Sequence, residues 1–371
     1  MAQATSVGIL VERGCCYALF AYDVGLSIDL DEADRRITAV KERGSIRHKL
    51  RAPQYLAYRP APLRVTQDSA PLQIGAQTSS PGVEVVLYDF GALSVTYRIP
   101  LAGPFAGLLA LSEELYENRQ LLGDSRMRIE QLLAVIRPAV ERPDVSKSVE
   151  DYVIFEIEEW ASAAERTVWI GDDHQFAQIL RCERIALSDQ EVKDATSYRI
   201  SFGQDDAAII DWNATLLFGR NMEDVRAVLE FANVELLEMR LLDHQLDTAL
   251  DQAYDALSKQ PARSWIRLQL SGSLEADSRR IARLQVDSAI LFERVTNTLK
   301  LLGDQYLARV HRLVSQRFHL ESWDVGITRK LHTLDSIYGK MTDQAAARRL
   351  EALEWIIIVL IALSILVSFR P

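Results

Sequence analysis

The chain has 371 residues, enough for two or three units that each bury a core. Hydrophobic residues make up 48% and charged residues 25%, a balance that excludes wholesale disorder. Lysine and arginine total 42 against 52 aspartates and glutamates, a net charge of −10; neutralising phosphates requires a concentrated basic surface, so no nucleic-acid partner is expected.

The N-terminus, MAQATSVGILVERG, has neither the basic region nor the apolar run of a signal peptide. The three cysteines are Cys15, Cys16 and Cys182. Adjacent Cys15 and Cys16 would point to opposite faces of a strand, a poor disulfide or metal pair, so structural thiols in a reducing compartment are expected.

A strand near 15–22 leads to a helix near 30–39, strands near 63–75, 83–89 and 93–99, and a helix near 104–118. The stretch Arg137 to Ser148, with Pro138 and Pro143, reads as a linker. Beyond it come a strand near 151–158, a helix near 173–182 and strands near 194–203, 206–211 and 214–218. Two pairs of segments look alike. Tyr17 to Asp23 parallels Tyr152 to Glu158, and Tyr88-Asp89-Phe90-Gly91-Ala92 parallels Ile210-Asp211-Trp212-Asn213-Ala214. The second pair has the look of a tight hairpin, with Gly or Asn able to take positive φ. Either the half is a worn duplication with insertions, or short β segments resemble each other by chance. The fold class expected is α+β, read as duplicated ferredoxin-like units over 1–145 and 146–220.

From residue 221 to 353 the chain reads as helical. Apolar residues at Val225, Leu229, Ala232, Leu236, Met239, Leu246, Leu250, Ala253 and Leu257 form a heptad seam interrupted at Asp243. Asp243 either sets register and oligomeric state as a polar layer or turns out to water. Breaks follow at Pro261 and Gly272. A second helix carries Ile281, Leu284, Phe292, Val295, Leu299, Leu302, Tyr306, Val310 and Leu313, and a third Ile327, Leu331, Leu334, Tyr338, Met341 and Ala345. Antiparallel packing within the chain and coiled-coil self-association both satisfy these seams.

Residues 354–371 carry an uncharged run, expected to be a C-terminal membrane anchor: Trp355, Ile356, Ile357, Ile358, Val359, Leu360, Ile361, Leu363, Ile365, Leu366, Val367 and Phe369. Eleven of the fifteen residues from Trp355 to Phe369 are Ile, Leu, Val or Phe, worth about −3 to −7 kcal/mol on insertion. Lys340, Arg348 and Arg349 on the N-terminal flank predict a single-pass protein with its bulk in the cytoplasm and the bilayer as a partner.

Chemistry is sparse. His174 follows Asp172 and Asp173, a pattern that suits either a metal or acid–base site or an acidic helix start. His244 and Asp247 share a helical face, while His311, His319 and His332 are scattered. P-loop, G-x-G-x-x-G and G-x-S-x-G patterns do not occur. No catalytic, cofactor or metal residues are assigned.

Leu334-Asp335 and the run Arg348-Arg349-Leu350-Glu351-Ala352-Leu353-Glu354-Trp355-Ile356-Ile357-Ile358 resemble the carboxy end of the "required for meiotic nuclear division" family, also called domain of unknown function 155. The resemblance implies a membrane-anchored, self-associating protein, and mitochondrial translation support in eukaryotic members. With no transit peptide, the chain fits a bacterial-type member. The functional expectation is a membrane-tethered scaffold, homo-oligomeric and binding an unknown protein partner. The alternative is a small-molecule sensor or enzyme with a cleft between the α+β halves.

Overall fold

The computed structural model describes residues 9–37, 40–43, 60–161, 173–258, 286 and 305–368. They fall in two compact units, one within Met1–Leu241 and Leu291–Glu321, the other within Leu242–Ile290 and Ser322–Pro371.

In the first unit the elements are β1 (Leu10–Asp23), β2 (Ser27–Ile28), α1 (Leu30–Arg36), β3 (Val40–Arg43), β4 (Leu63–Gln67), β5 (Gln73–Ile74), β6 (Gln77–Thr78), β7 (Val83–Leu87) and β8 (Ala92–Pro104). Then come α2 (Leu108–Leu115), α3 (Arg119–Ile136), β9 (Val140–Glu141), β10 (Glu150–Ala161), α4 (Asp173–Arg181) and α5 (Asp189–Ala195). Finally β11 (Arg199–Ile200), β12 (Ala207–Ile210), β13 (Ala214–Phe218), α6 (Glu223–Ser258) and α7 (Gln305–Arg317) follow. α6 passes from the first unit into the second, which also takes nearly all of α8 (Leu320–Ser368).

Nine strands make one mixed sheet in the order β11-β12-β13-β10-β1-β8-β7-β4-β3. β1 and β10 pair antiparallel at its centre, with Tyr17 opposite Ile154 and Leu19 opposite Tyr152. A shift of 135 residues exchanges these two pairs, the relation a local twofold axis gives. The next strands break it: β8 runs antiparallel to β1, while β13 runs parallel to β10. The two α+β segments therefore share one sheet.

Alternation along the strands sends Cys16, Ala18, Phe20 and Tyr22 of β1 to one face, where Val95, Tyr97, Ile99, Val153, Phe155 and Ile157 join them. Residues from α1 to α4 cover this face, among them Leu30, Leu111, Ile129 and Phe176. Phe105, Phe176 and Phe218 pack as an aromatic knot, and Trp160 meets Phe218 edge-on. Helices α1, α3 and α5 start on side-chain caps. Asp29 accepts from the backbone N–H of Asp31 and Glu32, Asn118 from Leu121 and Ser188 from Glu191.

The β7–β8 turn depends on Gly91, whose φ is +98° and where an added Cβ would lie 1.8 Å from the Gly25 carbonyl oxygen. The predicted strand over 63–75 is two strands, β4 and β5, and that over 194–203 is the end of α5 followed by β11. α3 and α5 were not predicted as helices. Strand β9, within the expected linker, pairs with β2. Ile281, Leu284, Phe292, Val295, Leu299 and Leu302 of the second predicted helix, with Pro261 and Gly272, lie outside the described residues.

In the second unit α6 buries Leu242, Leu246, Ala249 and Ala253, and α8 buries Ile327, Leu334, Tyr338 and Met341. The expected transmembrane helix is corrected: among the described residues no helix is long and apolar enough to cross a membrane. The run from Trp355 to Phe369 rises only about 22 Å at 1.5 Å per residue, against about 30 Å of hydrocarbon. It cannot be lengthened upstream, where Glu351 and Glu354 fall in the same helix, and Phe369 lies outside the described residues. The single-pass, tail-anchored placement falls with it. The fold class is likewise corrected, from ferredoxin-like copies with an anchor to an α/β unit built on one large mixed sheet.

Candidate functional site

The sheet's second face mixes charged and apolar side chains, and α6 lies over it. Tyr17, Leu19, Arg64, Glu84, Thr96 and Ile154 from the strands line one cleft with Glu223, Arg226, Ala227 and Glu230 of α6. Arg64 donates to Glu84 at 2.6 Å, and Thr96 donates to Glu230 at 3.4 Å. The Arg226 guanidinium lies 4.0 Å from the Tyr17 ring centroid. It also faces Glu156 at 2.9 Å, at an angle outside hydrogen-bond geometry. Burial pushes the Tyr17 phenol up, with Arg226 opposing. Burial likewise raises Glu230, partly offset by Arg64. For Arg64 burial works against the charge, but Glu230 and Glu84 outweigh it and the guanidinium is held above its ordinary value. The space left inside is about 20 Å³, room for a water and little more. The arrangement is a charge-balanced layer that fixes α6.

From Val228 to Met239 α6 is buried at every position, and Glu230, Asn233, Glu235 and Glu238 are among those residues. Asn233 donates to the Glu150 carbonyl at 3.2 Å, and Arg240 pairs with the Glu150 carboxylate at 2.7 Å. Glu235 meets His311 Nε2 of α7 at 3.2 Å, and Ser315 Oγ lies 3.2 Å from His311 Nδ1. A serine, histidine and carboxylate in series is the connectivity of an activated nucleophile. Here Ser315 lies almost equally close to both ring nitrogens, at 3.2 and 3.4 Å. Phe231 packs beside His311, with Tyr88 and Phe90 behind it. The series ties α7 to α6.

Among the described residues the densest ionic cluster surrounds Asp211, in the β12–β13 turn. Its carboxylate is fully buried and accepts from Arg317 Nε at 2.6 Å, while Arg181 of α4 contacts its other oxygen. Asp194 of α5 takes the outer nitrogens of both arginines, at 2.6 and 2.8 Å. The Tyr152 hydroxyl donates to the Asp211 carbonyl at 2.8 Å and lies 2.6 Å from Thr215 Oγ1. Burial raises the Asp211 carboxyl, with Arg317 opposing, while the Arg317 hydrogen bond lowers Asp194. Strand turn, α4, α5 and the end of α7 are thus stapled at one point.

The residues singled out in the sequence are dispersed. Asp173 opens α4 and pairs with Arg199, and His174 Nε2 lies 4.0 Å from Asp189; Asp172 lies outside the described residues. Asp243 receives Lys330 of α8 at 2.7 Å, and the same ammonium reaches Asp247 at 2.6 Å. Asp243 thus takes part in an ion pair between α6 and α8 within the second unit. His244 lends its carbonyl to Thr248. Cys15 and Cys16 are buried, Cys182 is half-buried, and burial raises all three thiols. Among the described residues no group of three or more His, Cys, Asp or Glu is placed to hold a metal ion. The apolar seam of α6 gives no sign of its buried glutamates. Only the unusual run of Glu230, Glu235 and Glu238 among apolar neighbours could have flagged them.

No solved structure matches the chain. It is 20% identical over 257 residues to Uncharacterized protein MJ0711 of Methanocaldococcus jannaschii, an alignment covering 68% of this chain and 76% of that protein. The family "Uncharacterized protein MJ0711, N-terminal domain" matches residues 13–224, which take in the nine strands of the large sheet apart from the first three residues of β1 and stop where α6 begins. That is more than half of the sequence, and the chain belongs to this family.

Proposed function

We propose that the protein is a self-associating scaffold without a catalytic centre, in which the end of α8 joins copies of the chain and the sheet unit meets a protein partner. One observation carries the reading: Leu353, every residue from Trp355 to Ile361, and Ile365 are each more than half exposed. These large apolar side chains surround the helix instead of forming one stripe, an exposure that marks interaction surfaces. Burying about half of that surface among like helices contributes on the order of 10 kcal/mol, comparable to the freedom lost on association. The resemblance of Leu334 to Ile358 to a self-associating family supports the same reading. The polar contact of Lys330 with Asp243 and Asp247 suits a helical stalk, because a charged layer penalises slipped registers.

Sedimentation velocity of the full chain over a hundredfold concentration range tests the reading. A dimer or larger species is expected, with Ile357→Glu combined with Leu360→Glu shifting it to monomer while the circular dichroism of the sheet unit is kept. A wild-type chain that stays monomeric at tens of micromolar overturns the proposal.

A further inference from the structure

We propose that the amino-terminal half of α6, together with α7, is a releasable cover over the sheet's second face. It hinges on the link between β13 and α6 and is latched by Arg317. The sheet's first face is complete without these helices. Its apolar core runs from Val11 to Phe218 in sequence, and none of the described residues of α6 or α7 belongs to it. The family match ends at the same boundary, at residue 224. A layer that closes its own core stays folded when a layer on its other side opens.

The polar contacts under α6 are loosely made. Thr96 reaches Glu230 only at 3.4 Å, and Arg226 meets Glu156 at 2.9 Å but outside hydrogen-bond geometry. Glu238 Oε1 is sealed from solvent with no hydrogen-bond partner among the described residues. About 20 Å³ of space remains between strands and helix. Half-satisfied buried polar groups carry a desolvation cost that opening to water relieves. α7 moves with α6, because His311 meets Glu235 at 3.2 Å and its ring packs beside Phe231.

The hinge is the link 219–222. Gly219 has φ +131° and Asn221 φ +60°, both on the positive side that L side chains rarely adopt. Two hydrogen bonds hold the link to β10: the Gly219 N–H donates to the Ile157 carbonyl at 3.0 Å, and the Met222 N–H to the Glu156 carboxylate at 3.3 Å. The latch lies at the far end of α7. There Arg317 donates to Asp211 at 2.6 Å and to Asp194 at 2.8 Å, and Phe318 meets the Tyr152 ring edge-on. Arg181 also holds Asp211, so the buried carboxylate keeps a cation when Arg317 leaves.

Hydrogen–deuterium exchange of the full chain tests this, comparing α6 amides from 228 to 239 with amides of β1 and β8. In the wild type α6 should open at least about tenfold more often than the strands. Ile129→Val, a change in the first-face core on α3, should raise strand opening about threefold to tenfold and leave α6 opening unchanged. Equal protection of helix and strands in the wild type, or an equal rise of both in Ile129→Val, makes the unit one cooperative block and overturns the proposal. Arg317→Met should raise α6 opening about tenfold to a hundredfold; unchanged α6 opening overturns the latch. If Arg317→Met does not fold, Arg317→Lys gives the same comparison with a smaller rise, and the Ile129→Val result stands without either.

Discussion

Replacing Asp211 with alanine should be among the most damaging single changes available in the first unit. Its carboxylate has no solvent contact, and the two guanidiniums it holds, on Arg181 and Arg317, are 16% and 9% exposed. Removing one partner of a buried ion pair costs about 3–5 kcal/mol, because the surviving charge is left desolvated. Asp194 would remain on both arginines, but it is half-exposed and its attraction is screened. The expected loss is therefore about 2–4 kcal/mol, or about 5–15 °C in Tm for a unit of this size. Thermal unfolding followed by circular dichroism measures it, with Tyr152→Phe as the control that removes only the hydrogen bonds of the hydroxyl, at about 1 kcal/mol. An Asp211→Ala protein within 2 °C of wild type would refute the account of this cluster as a staple.

Gly91→Ala should cost more than about 3 kcal/mol, since it combines positive φ with a Cβ placed 1.8 Å from the Gly25 oxygen; a soluble variant with wild-type Tm would show that the turn can open. Lys330→Met should cost about 1 kcal/mol or less at low salt and almost nothing at 1 M, because Lys330 and Asp247 are partly solvated. Urea denaturation at the two salt concentrations checks the difference.

Much of the sheet could be read from residues alone because its signals are local. Val83 to Tyr97 has apolar runs on both sides of Asp89-Phe90-Gly91, and the hairpin lies there. Ile210 to Ala214 has the same form, and β12 and β13 flank it. The interior of α6 was hidden for the opposite reason. Glu230 shares a cleft with Arg64 and Glu235 finds His311, and no window along the chain contains both members of either pair. α3 is not legible from its pattern, because its buried residues include Ser125 and Arg128, which blur an apolar stripe. Arg128 is held by Asp124 and the Ser69 hydroxyl. The apolar run near the carboxy end was conspicuous, yet its composition outran its length.

The pairing of β1 with β10 also bears on how the chain reaches this state. The central strand is made first, and its neighbour on one side ends only at Ala161. At about 5–20 residues per second, a nascent chain spends about 8–30 s with that edge of β1 open. The strand carries Tyr17, Leu19, Phe20 and Tyr22, the kind of edge other chains add to. Synthesis should therefore favour a holding chaperone over this interval, and slowed translation between residues 104 and 150 should raise aggregation more than the same delay after residue 161.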